Sequence, residues 1–341
     1  MSDGGFTGAD RHRDPVRVER IRRMVDVTVG RGLEVGPLYS PLVTRAEADV
    51  RYVDVQLTPE LKAHYATHPG IPYEDIVEVD YALIENGRER SLTAAVSPGA
   101  PYDWVVASHV VEHVPDVIGW LAELAEVLAD GGLLVLAIPD RRYCFDVLRP
   151  PTTVGQMLRA HLDGDTRPSA RAVFDHFSTA VDMPTVHLWE GAVPTLDDVI
   201  HGDAYAWEQV QKSLANGTYV DCHVWLFSPA SFVQQLRVLG GLGLLDLTLL
   251  DVNLTQEGEL EFYVTLRRVP RHLGPVDRRK AVLRGFPTHE DAEDLDDCSR
   301  PADRPSSGPL PLSDLEERMV RAKRAVATRA RSLTTRLRPR P

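Results

Sequence analysis

The chain has 341 residues, which is enough for one large domain or two ordinary ones, and its apolar fraction of 43% is ample for a hydrophobic core. The formal net charge of −12 argues against a protein whose main surface binds nucleic acid. No secretory leader is recognised, which indicates a cytoplasmic protein. The three cysteines are widely spaced and are therefore expected to be reduced thiols; they are Cys144, Cys222 and Cys298.

Short apolar runs alternate with spacers in the first 140 residues, after a lead-in segment (residues 1–30) with a predicted helix at Val16–Val29. This alternation is typical of a parallel sheet with helices on both faces. Five buried strands are predicted, at Leu33–Gly36, Val50–Val55, Asp75–Tyr81, Asp103–Ser108 and Leu133–Ile138. The link between the first two is near the minimum length for a crossover, so any helix in it is very short.

The helix before the fifth strand has the clearest pattern. Its apolar residues recur at helical spacing, at Val117, Trp120, Leu121, Leu124, Val127 and Leu128. Asp116 is the expected N-cap, and Gly131-Gly132 is the expected stop before the strand.

The strand pattern is interrupted by residues 141–227, a mainly helical insert with predicted helices at Val154–Leu162, Ala170–Val181 and Tyr205–Leu214. It returns with a helix at Ala230–Leu239, which begins with Ser228 as N-cap and Pro229 at the first helical position. Two further strands, Leu245–Leu254 and Glu259–Val269, are joined by a short link and are therefore expected to be antiparallel.

These elements predict an α/β fold: a Rossmann-like, doubly wound sheet of seven strands, mostly parallel, with an antiparallel final pair. The sheet domain comprises residues 31–140 and 228–269, and the insert at 141–227 is expected to cover its edge and select the substrate. Residues 270–341 read as a largely disordered tail, proline- and serine-rich in the middle, with a basic helix at the end.

Residues that suit a nucleoside ligand lie where the first two strands end. Gly36 allows close approach of a ligand, and Asp54 can accept hydrogen bonds from both ribose hydroxyls. The run after Gly36 lacks the further glycines of a dinucleotide site, and Pro37 and Pro41 remove amide donors. A cofactor with a ribose and an adenine but no phosphate therefore fits this loop.

The fourth strand is followed by His109, Glu112 and His113, which also spell the H-x-x-E-H motif of one zinc peptidase class. That motif requires an uninterrupted helix, whereas here a strand precedes it and Pro115 follows it. No metal site is therefore predicted, and the peptidase is retained as an alternative. Histidine is the natural general base near neutral pH, so His113 and His109, with His223 of the insert, are candidate catalytic residues.

The chain resembles the class I S-adenosylmethionine-dependent methyltransferases, with a type 11-like methyltransferase domain. The resemblance rests on LEVGP, on Asp54, on EVDY at Glu78–Tyr81, and above all on ASHVVEHVPD…LAEVLADGGLLVLAIPD. It implies the cofactor S-adenosyl-L-methionine, with Gly36 and its neighbours against the methionine part and Asp54 on the ribose. It also implies Asp80 at the adenine amino group, Tyr81 beside the ring, and Ser108 and His109 under the cofactor. The predicted cofactor-binding residues are Glu34, Gly36, Pro37, Asp54, Asp80, Tyr81, Ser108 and His109.

The resulting hypothesis is a bacterial, cytoplasmic methyltransferase that acts on a hydroxyl or amine of a small molecule, such as a sugar-containing or natural-product acceptor. The bacterial origin is suggested by the excess of arginine over lysine. A non-catalytic cofactor- or partner-binding module of the same fold is a second alternative, because the glycine loop is reduced. Nucleic acid is not expected as a partner, and no membrane span is predicted, since the most apolar stretch (236–254) is broken by charges and glycines. The sequence does not indicate an oligomeric state.

Overall fold

The computed structural model describes residues 12–68 and 70–296. The strands of this part are β1 (Arg31–Val35), β2 (Asp49–Asp54), β3 (Tyr81–Ala82), β4 (Ile84–Glu85), β5 (Arg88–Glu89), β6 (Tyr102–Ser108), β7 (Leu128–Pro139), β8 (Leu247–Asn253) and β9 (Glu261–Arg268). The helices are α1 (Pro15–Met24), α2 (Thr58–Tyr65), α3 (Leu92–Val96), α4 (Val117–Val127), α5 (Val154–Asp163), α6 (Ala170–Thr179), α7 (Thr185–Trp189), α8 (Asp203–Asn216), α9 (Pro229–Leu242), α10 (Pro275–Leu283) and α11 (His289–Glu293).

The main sheet has seven strands in the order β3-β2-β1-β6-β7-β9-β8. The pairs from β3 to β7 are parallel, whereas β9 is antiparallel to both β7 and β8. The predicted doubly wound sheet with an antiparallel final pair is therefore confirmed. The sheet reverses its strand order beside β1 and β6, the position at which open α/β sheets bind ligands.

The sheet is buried on both faces, as the alternation along β6 shows. Trp104 and Val106 pack on one face, in a cluster that includes Ile21 of α1. Val105 and Ala107 pack on the other face, against α4 and α9. Successive side chains of a strand point to opposite faces, so the uniformly apolar strand joins two cores at once.

The predicted helix limits are close to the observed ones where a cap defines them. Asp116 caps α4 by accepting from the Gly119 amide (2.9 Å), and Ser228 caps α9 by accepting from the Ser231 amide (3.3 Å). Helix α4 ends earlier than expected, at Val127. The two glycines that were expected to end it, Gly131 and Gly132, lie inside β7, where the register between β6 and β7 shifts. The lead-in helix α1 likewise ends at Met24 and not at Val29.

The prediction of a third strand at Asp75–Tyr81 is wrong in its bounds. The strand β3 contains only Tyr81 and Ala82, and a 3₁₀ turn occupies Tyr73–Asp75. The apolar residues of this stretch, Ile76 and Val79, pack in a small separate cluster with Leu61 of α2. These residues are therefore buried by packing against α2 and not by lying in a strand of the sheet.

The predicted disordered tail is wrong for its first part, residues 270–296. Here α10 and α11 pack against α9, with Val282, Phe286 and Ala292 in the core. The cap of α9 also depends on this segment, because the Asp296 carboxylate accepts from the Ala230 amide (2.9 Å). The predicted basic C-terminal helix lies outside the described residues.

The insert carries α5 to α8 and returns to the sheet through an extended segment, residues 217–227. Phe227 at its end forms a parallel bridge with Asp140, just beyond β7. Cys144 and Cys222 are buried and free, whereas Cys298 lies outside the described residues. Among the described residues, no helix combines the length and apolar character needed to cross a membrane.

Candidate functional site

The parallel strands bring three of the predicted site residues together at the carboxyl edge of the sheet. The last residue of β1 pairs with the penultimate residues of both β2 and β6. Gly36, Asp54 and Ser108 each follow those positions by one residue. They therefore lie side by side at the spacing of neighbouring strands, about 5 Å.

Gly36 is the most accessible of the three. It is exposed, and its φ of +69° lies in the left-handed region that favours glycine. A Cβ at this position would also lie 3.1 Å from Val110 Cγ2. Pro37, which follows, is buried, and residues 36–48 form turns without a helix. The loop after Gly36 therefore supplies no helix N-terminus, which suits a ligand without phosphates.

Asp54 ends β2 with a partly buried carboxyl group. Burial raises the pKa of Asp54 to about 6, although the amides of Val55 and Leu38 oppose the change. The Val55 amide donates to Oδ1 at 2.7 Å. No basic side chain of the described residues forms an ion pair with Asp54, so its acceptor capacity is only partly used.

Glu34 does not face this edge. It is only 2% exposed, and its carboxylate accepts from the amides of Leu42 (2.7 Å) and Val43 (3.0 Å). Burial raises the pKa of Glu34 to about 7, against the opposing effect of those two amides. We conclude that Glu34 holds the loop after β1 in place. The predicted direct contact of Glu34 with the cofactor is therefore replaced by hydrogen bonds to the loop.

Ser108 and His109 end β6 in different environments. The Ser108 hydroxyl is buried and has no hydrogen-bond partner among the described residues. His109 has a left-handed φ of +55°, and its Nε2 hydrogen-bonds to the Glu261 carboxylate, which Arg17 also binds. The orphaned hydroxyl suits a bound ligand, whereas the His109 ring is held in an ion-pair network.

Asp80 and Tyr81 lie beside the end of β2, where Tyr81 pairs with Val53, but their side chains make other contacts. The Asp80 carboxylate accepts from the Tyr52 amide and pairs with Arg45, both at 2.7 Å. The Tyr81 hydroxyl bonds to that of Tyr102, the first residue of β6, towards the opposite edge of the sheet. The expected adenine contacts are therefore corrected, because β3 starts at Tyr81 and places Asp80 before the strand and not at its end.

A second group of site residues joins the loop after β6 to the insert. His113 Nδ1 lies 2.9 Å from the Asp221 carboxylate, and His223 Nδ1 lies 2.5 Å from that of Asp146. The two imidazole rings meet edge to face, with centroids 4.7 Å apart. Glu112 lies against both rings, with its Oε1 3.9 Å from His113 Nε2 and 4.0 Å from His223 Nε2.

The charges of this second group are strongly coupled. Burial lowers the pKa of His223 even though Asp146 favours the charged ring. Burial alone would raise the pKa of Asp146, but His223 and Arg149 outweigh it and hold the value well below its usual range. The facing His113 likewise holds the pKa of the exposed Asp221 carboxylate well below its usual range. Both carboxylates are therefore ionised at neutral pH, and each orients one imidazole.

The loop that carries Glu112 and His113 is not helical. Residues 109–116 form turns, so the one-turn spacing that an H-x-x-E-H peptidase site requires is missing. The loop is instead held by the insert, because the Glu112 carbonyl accepts from the Val224 amide (2.7 Å) and the Val114 carbonyl from Trp225 Nε1 (2.5 Å). The geometry does not support the peptidase alternative.

Several residues of these networks were missed by sequence reasoning. Arg17, Asp146 and Glu261 lie in segments without a motif, and each meets its histidine only through the fold. Asp221 carried a signal, since it lies two residues before His223. Glu112 was seen, but as part of the H-x-x-E-H motif and not as a partner of His223.

A family model described as a methyltransferase domain matches residues 70–240, half of the chain. The matched range includes Ser108, His113 and His223 but begins after Gly36 and Asp54. Among the curated proteins, a ubiquinone biosynthesis O-methyltransferase of Xanthomonas campestris is 33% identical over 133 residues, which are 38% of this chain and 51% of that protein. The chain thus spans about half the length of the curated relatives it matches.

Two similar solved structures are a complex of DhpI with S-adenosylhomocysteine and the CcbJ methyltransferase from Streptomyces caelestis. The first is 17% identical, covers 75% of this chain and 84% of its own, and has a TM-score of 0.36. The second is 12% identical, covers 79% and 99%, and has a TM-score of 0.37. Similarity at this level carries no information on substrate or chemistry.

Proposed function

Because the chain belongs to the methyltransferase-domain family of class I S-adenosylmethionine-dependent enzymes, we propose that it methylates a hydroxyl or amine of a small molecule. The observation that carries the proposal is the row of Gly36, Asp54 and Ser108 at the switch point of the sheet. An exposed glycine, an unpaired desolvated carboxyl group and an orphaned hydroxyl there suit a nucleoside without phosphates.

In this proposal the residues of the edge hold S-adenosyl-L-methionine, which supplies an activated methyl group on a sulfonium. Asp54 accepts hydrogen bonds from the ribose hydroxyls, and Gly36 leaves room for the chain of the ligand. Ser108 donates or accepts one hydrogen bond beneath it. Holding the acceptor atom in line with the methyl group is then the largest contribution of the protein to the rate.

The acceptor is proposed to bind between the loop after β6 and the insert, where His113 and His223 face Glu112. A histidine oriented by a carboxylate is suited to take the proton of a hydroxyl or an amine. Of the three candidate bases, His113 and His223 remain, since Nε2 of His109 contacts both Arg17 and Glu261. The many hydrogen bonds between insert and loop support a wall over the acceptor.

Binding of S-adenosylhomocysteine to the full chain, measured by isothermal titration calorimetry, tests the proposal. We expect a micromolar dissociation constant, and we expect Asp54→Ala to weaken it at least about tenfold, because two hydrogen bonds to a charged acceptor are lost. Asp49→Ala is the matched control, since Asp49 starts the same strand with a side chain that is 47% exposed.

The control should bind as the parent protein does. Absence of binding to either S-adenosylmethionine or S-adenosylhomocysteine would contradict the proposal, and so would equal binding by the Asp54 variant. Tight binding without methyl transfer to any of a panel of phenols, sugars and amines would instead favour the non-catalytic module.

A further inference from the structure

Three hydrogen-bond acceptors converge on one point between the sheet edge and the insert. Glu112, His113 and His223 each offer one ligand atom, and these atoms all lie within 4.8 Å of one another. His109 Nδ1 also lies near Glu112, 3.5 Å from Oε1. Glu112 is 1% exposed, and neither of its carboxylate oxygens has a hydrogen-bond partner within the described part of the chain. A buried carboxylate without hydrogen bonds is costly, so a missing cation is the natural explanation of the cluster.

The outer hydrogen bonds of the two rings determine which nitrogen atoms face Glu112. His113 gives its Nδ1 to Asp221 and His223 gives its Nδ1 to Asp146. A carboxylate on Nδ1 makes that nitrogen the donor and leaves a lone pair on Nε2 in the neutral ring. Histidines that bind metals are held by carboxylates in this same manner.

The distances between the ligand atoms suit a site that contracts when an ion binds. The Nε2 atoms lie 3.9 and 4.0 Å from Glu112 Oε1, which is too far for a direct hydrogen bond. Ligand atoms of a tetrahedral zinc ion at its usual bond lengths are about 3.3 Å apart. Small rotations about side-chain bonds would bring the three atoms onto one ion.

We propose that Glu112, His113 and His223 form a binding site for a divalent transition-metal ion of the zinc type. The inference stands apart from the methyl transfer, since it rests on the ligand set alone. It replaces the expectation that the chain has no metal site, and it differs from the H-x-x-E-H hypothesis because His223 of the insert takes the place of His109.

Three protein ligands leave one coordination position open, the arrangement of catalytic rather than structural zinc sites. An oxygen bound at such a position loses its proton more readily. A hydroxyl of an acceptor that bound there would thus be activated without a free histidine base. The same ion would tie the insert to the loop after β6.

The test is titration of the chelator-treated full chain, with any affinity tag removed, with Co²⁺ and Zn²⁺. We expect one Co²⁺ per chain, visible absorption bands of low-coordinate cobalt, their loss when Zn²⁺ is added, and a higher melting temperature with metal. Glu112→Gln, which keeps the shape of the side chain, should weaken binding more than tenfold, as should His223→Gln.

The positioning residue Asp221 supplies a second variant that does not disturb the core, because its side chain is 70% exposed. Asp221→Asn should weaken Co²⁺ binding by about 10-fold to 100-fold. A purely structural role of Asp221 would lower the melting temperature without changing the cobalt spectrum or affinity.

Two variants serve as controls. Glu34→Gln alters an equally buried glutamate (2% exposed) outside the cluster, and His187→Gln removes an exposed histidine of the insert. Both should bind Co²⁺ with the parent affinity. The proposal is overturned if no ion binds with a dissociation constant below about 100 µM, if Glu112→Gln binds as tightly as the parent, or if either control loses binding to the same extent.

Discussion

At the residue scale, Asp54 shows how the fold changes the chemistry of a side chain. Desolvation at the end of β2 is the largest influence on its carboxyl group, and it moves the pKa from 3.8 to about 6. The charged form is therefore less stable than in water but is present at neutral pH. An ionised carboxylate that has lost part of its hydration gains more binding free energy from two hydrogen bonds to ligand hydroxyls than a fully hydrated carboxylate does.

This pKa leads to a prediction on the pH dependence of cofactor binding. Because the ionised form is the better acceptor, affinity for S-adenosylhomocysteine should rise with pH up to about 6 and be constant above it. The slope below the pKa should approach about tenfold per pH unit. Isothermal titration calorimetry between about pH 5 and 8 measures this dependence of the dissociation constant on pH.

Asp54→Asn, which cannot ionise, should bind more weakly and with no inflection near pH 6. A parent curve without an inflection would show that Asp54 does not contact the ligand. The same group affects folding with the opposite sign. In the folded state Asp54 keeps its proton up to about pH 6. Its contribution to the free energy of unfolding is therefore present at low pH and is lost as pH rises through the raised pKa.

At the scale of elements, α1 is anchored to the sheet through one buried ion pair. Arg17 binds the Glu261 carboxylate with Nε (2.8 Å) and Nη2 (2.6 Å), and Arg20 binds Glu259 (2.6 Å). Burial alone would raise the pKa of Glu261, but Arg17 and His109 outweigh it and hold the pKa well below its usual range. The helix thus closes the network that holds the His109 ring.

Arg17→Ala is therefore expected to lower the free energy of unfolding by about 3 kcal/mol, since it leaves a buried carboxylate without its cation. Urea denaturation monitored by circular dichroism measures this value. Arg23→Ala on the same helix is the control. Arg23 pairs with Glu19 where both side chains are more than half exposed, so its removal should change stability by less than about 1 kcal/mol.

Equal losses in the two variants would contradict the role assigned to the buried pair. A further readout separates anchoring from general stability. If α1 holds the network in place, Arg17→Ala should also change the NMR chemical shifts of the His109 ring, which the Arg23 variant should leave unchanged.

At the scale of the whole molecule, the segment after β9 completes the protein. Val282 of α10 is fully buried, and a Cβ on Gly240 of α9 would lie 2.7 Å from its Cγ1. Asp296 hydrogen-bonds both to the Ser228 hydroxyl (2.6 Å) and to the Ala230 amide, at the start of α9. The helix that leads into the last strand pair is thus covered and capped by residues beyond the sheet.

Val282→Ala should accordingly destabilise the fold by about 2 kcal/mol, from two lost methyl groups and the cavity they leave. Val276→Ala on the same helix is the matched control. Val276 is 67% exposed, so its truncation should cost less than about 0.5 kcal/mol. The two values are compared by thermal denaturation, and similar losses would show that α10 is not packed on the core.

Prediction from the sequence succeeded best where local patterns determine structure. The buried runs of β1, β2, β6 and β7, the cap at Asp116 and the Ser228-Pro229 helix start all depend on near neighbours in the chain. A missed hairpin also had such a signal, since Asn86 and Gly87 both have positive φ and form the turn between β4 and β5. The error at Asp80 arose because Ile76 and Val79 look the same in a strand as in a loop packed on a helix.

The sequence by itself determined the sheet and its doubly wound character, and it predicted the edge at which the candidate site lies, because apolar periodicity and the end of each strand are local properties. Only the tertiary structure decided which side chains meet there. His223 reaches Glu112 across more than a hundred residues, and Asp146 reaches His223 through the insert. Hydrogen-bond partners and desolvation depend on three-dimensional packing, to which residues distant in the chain contribute.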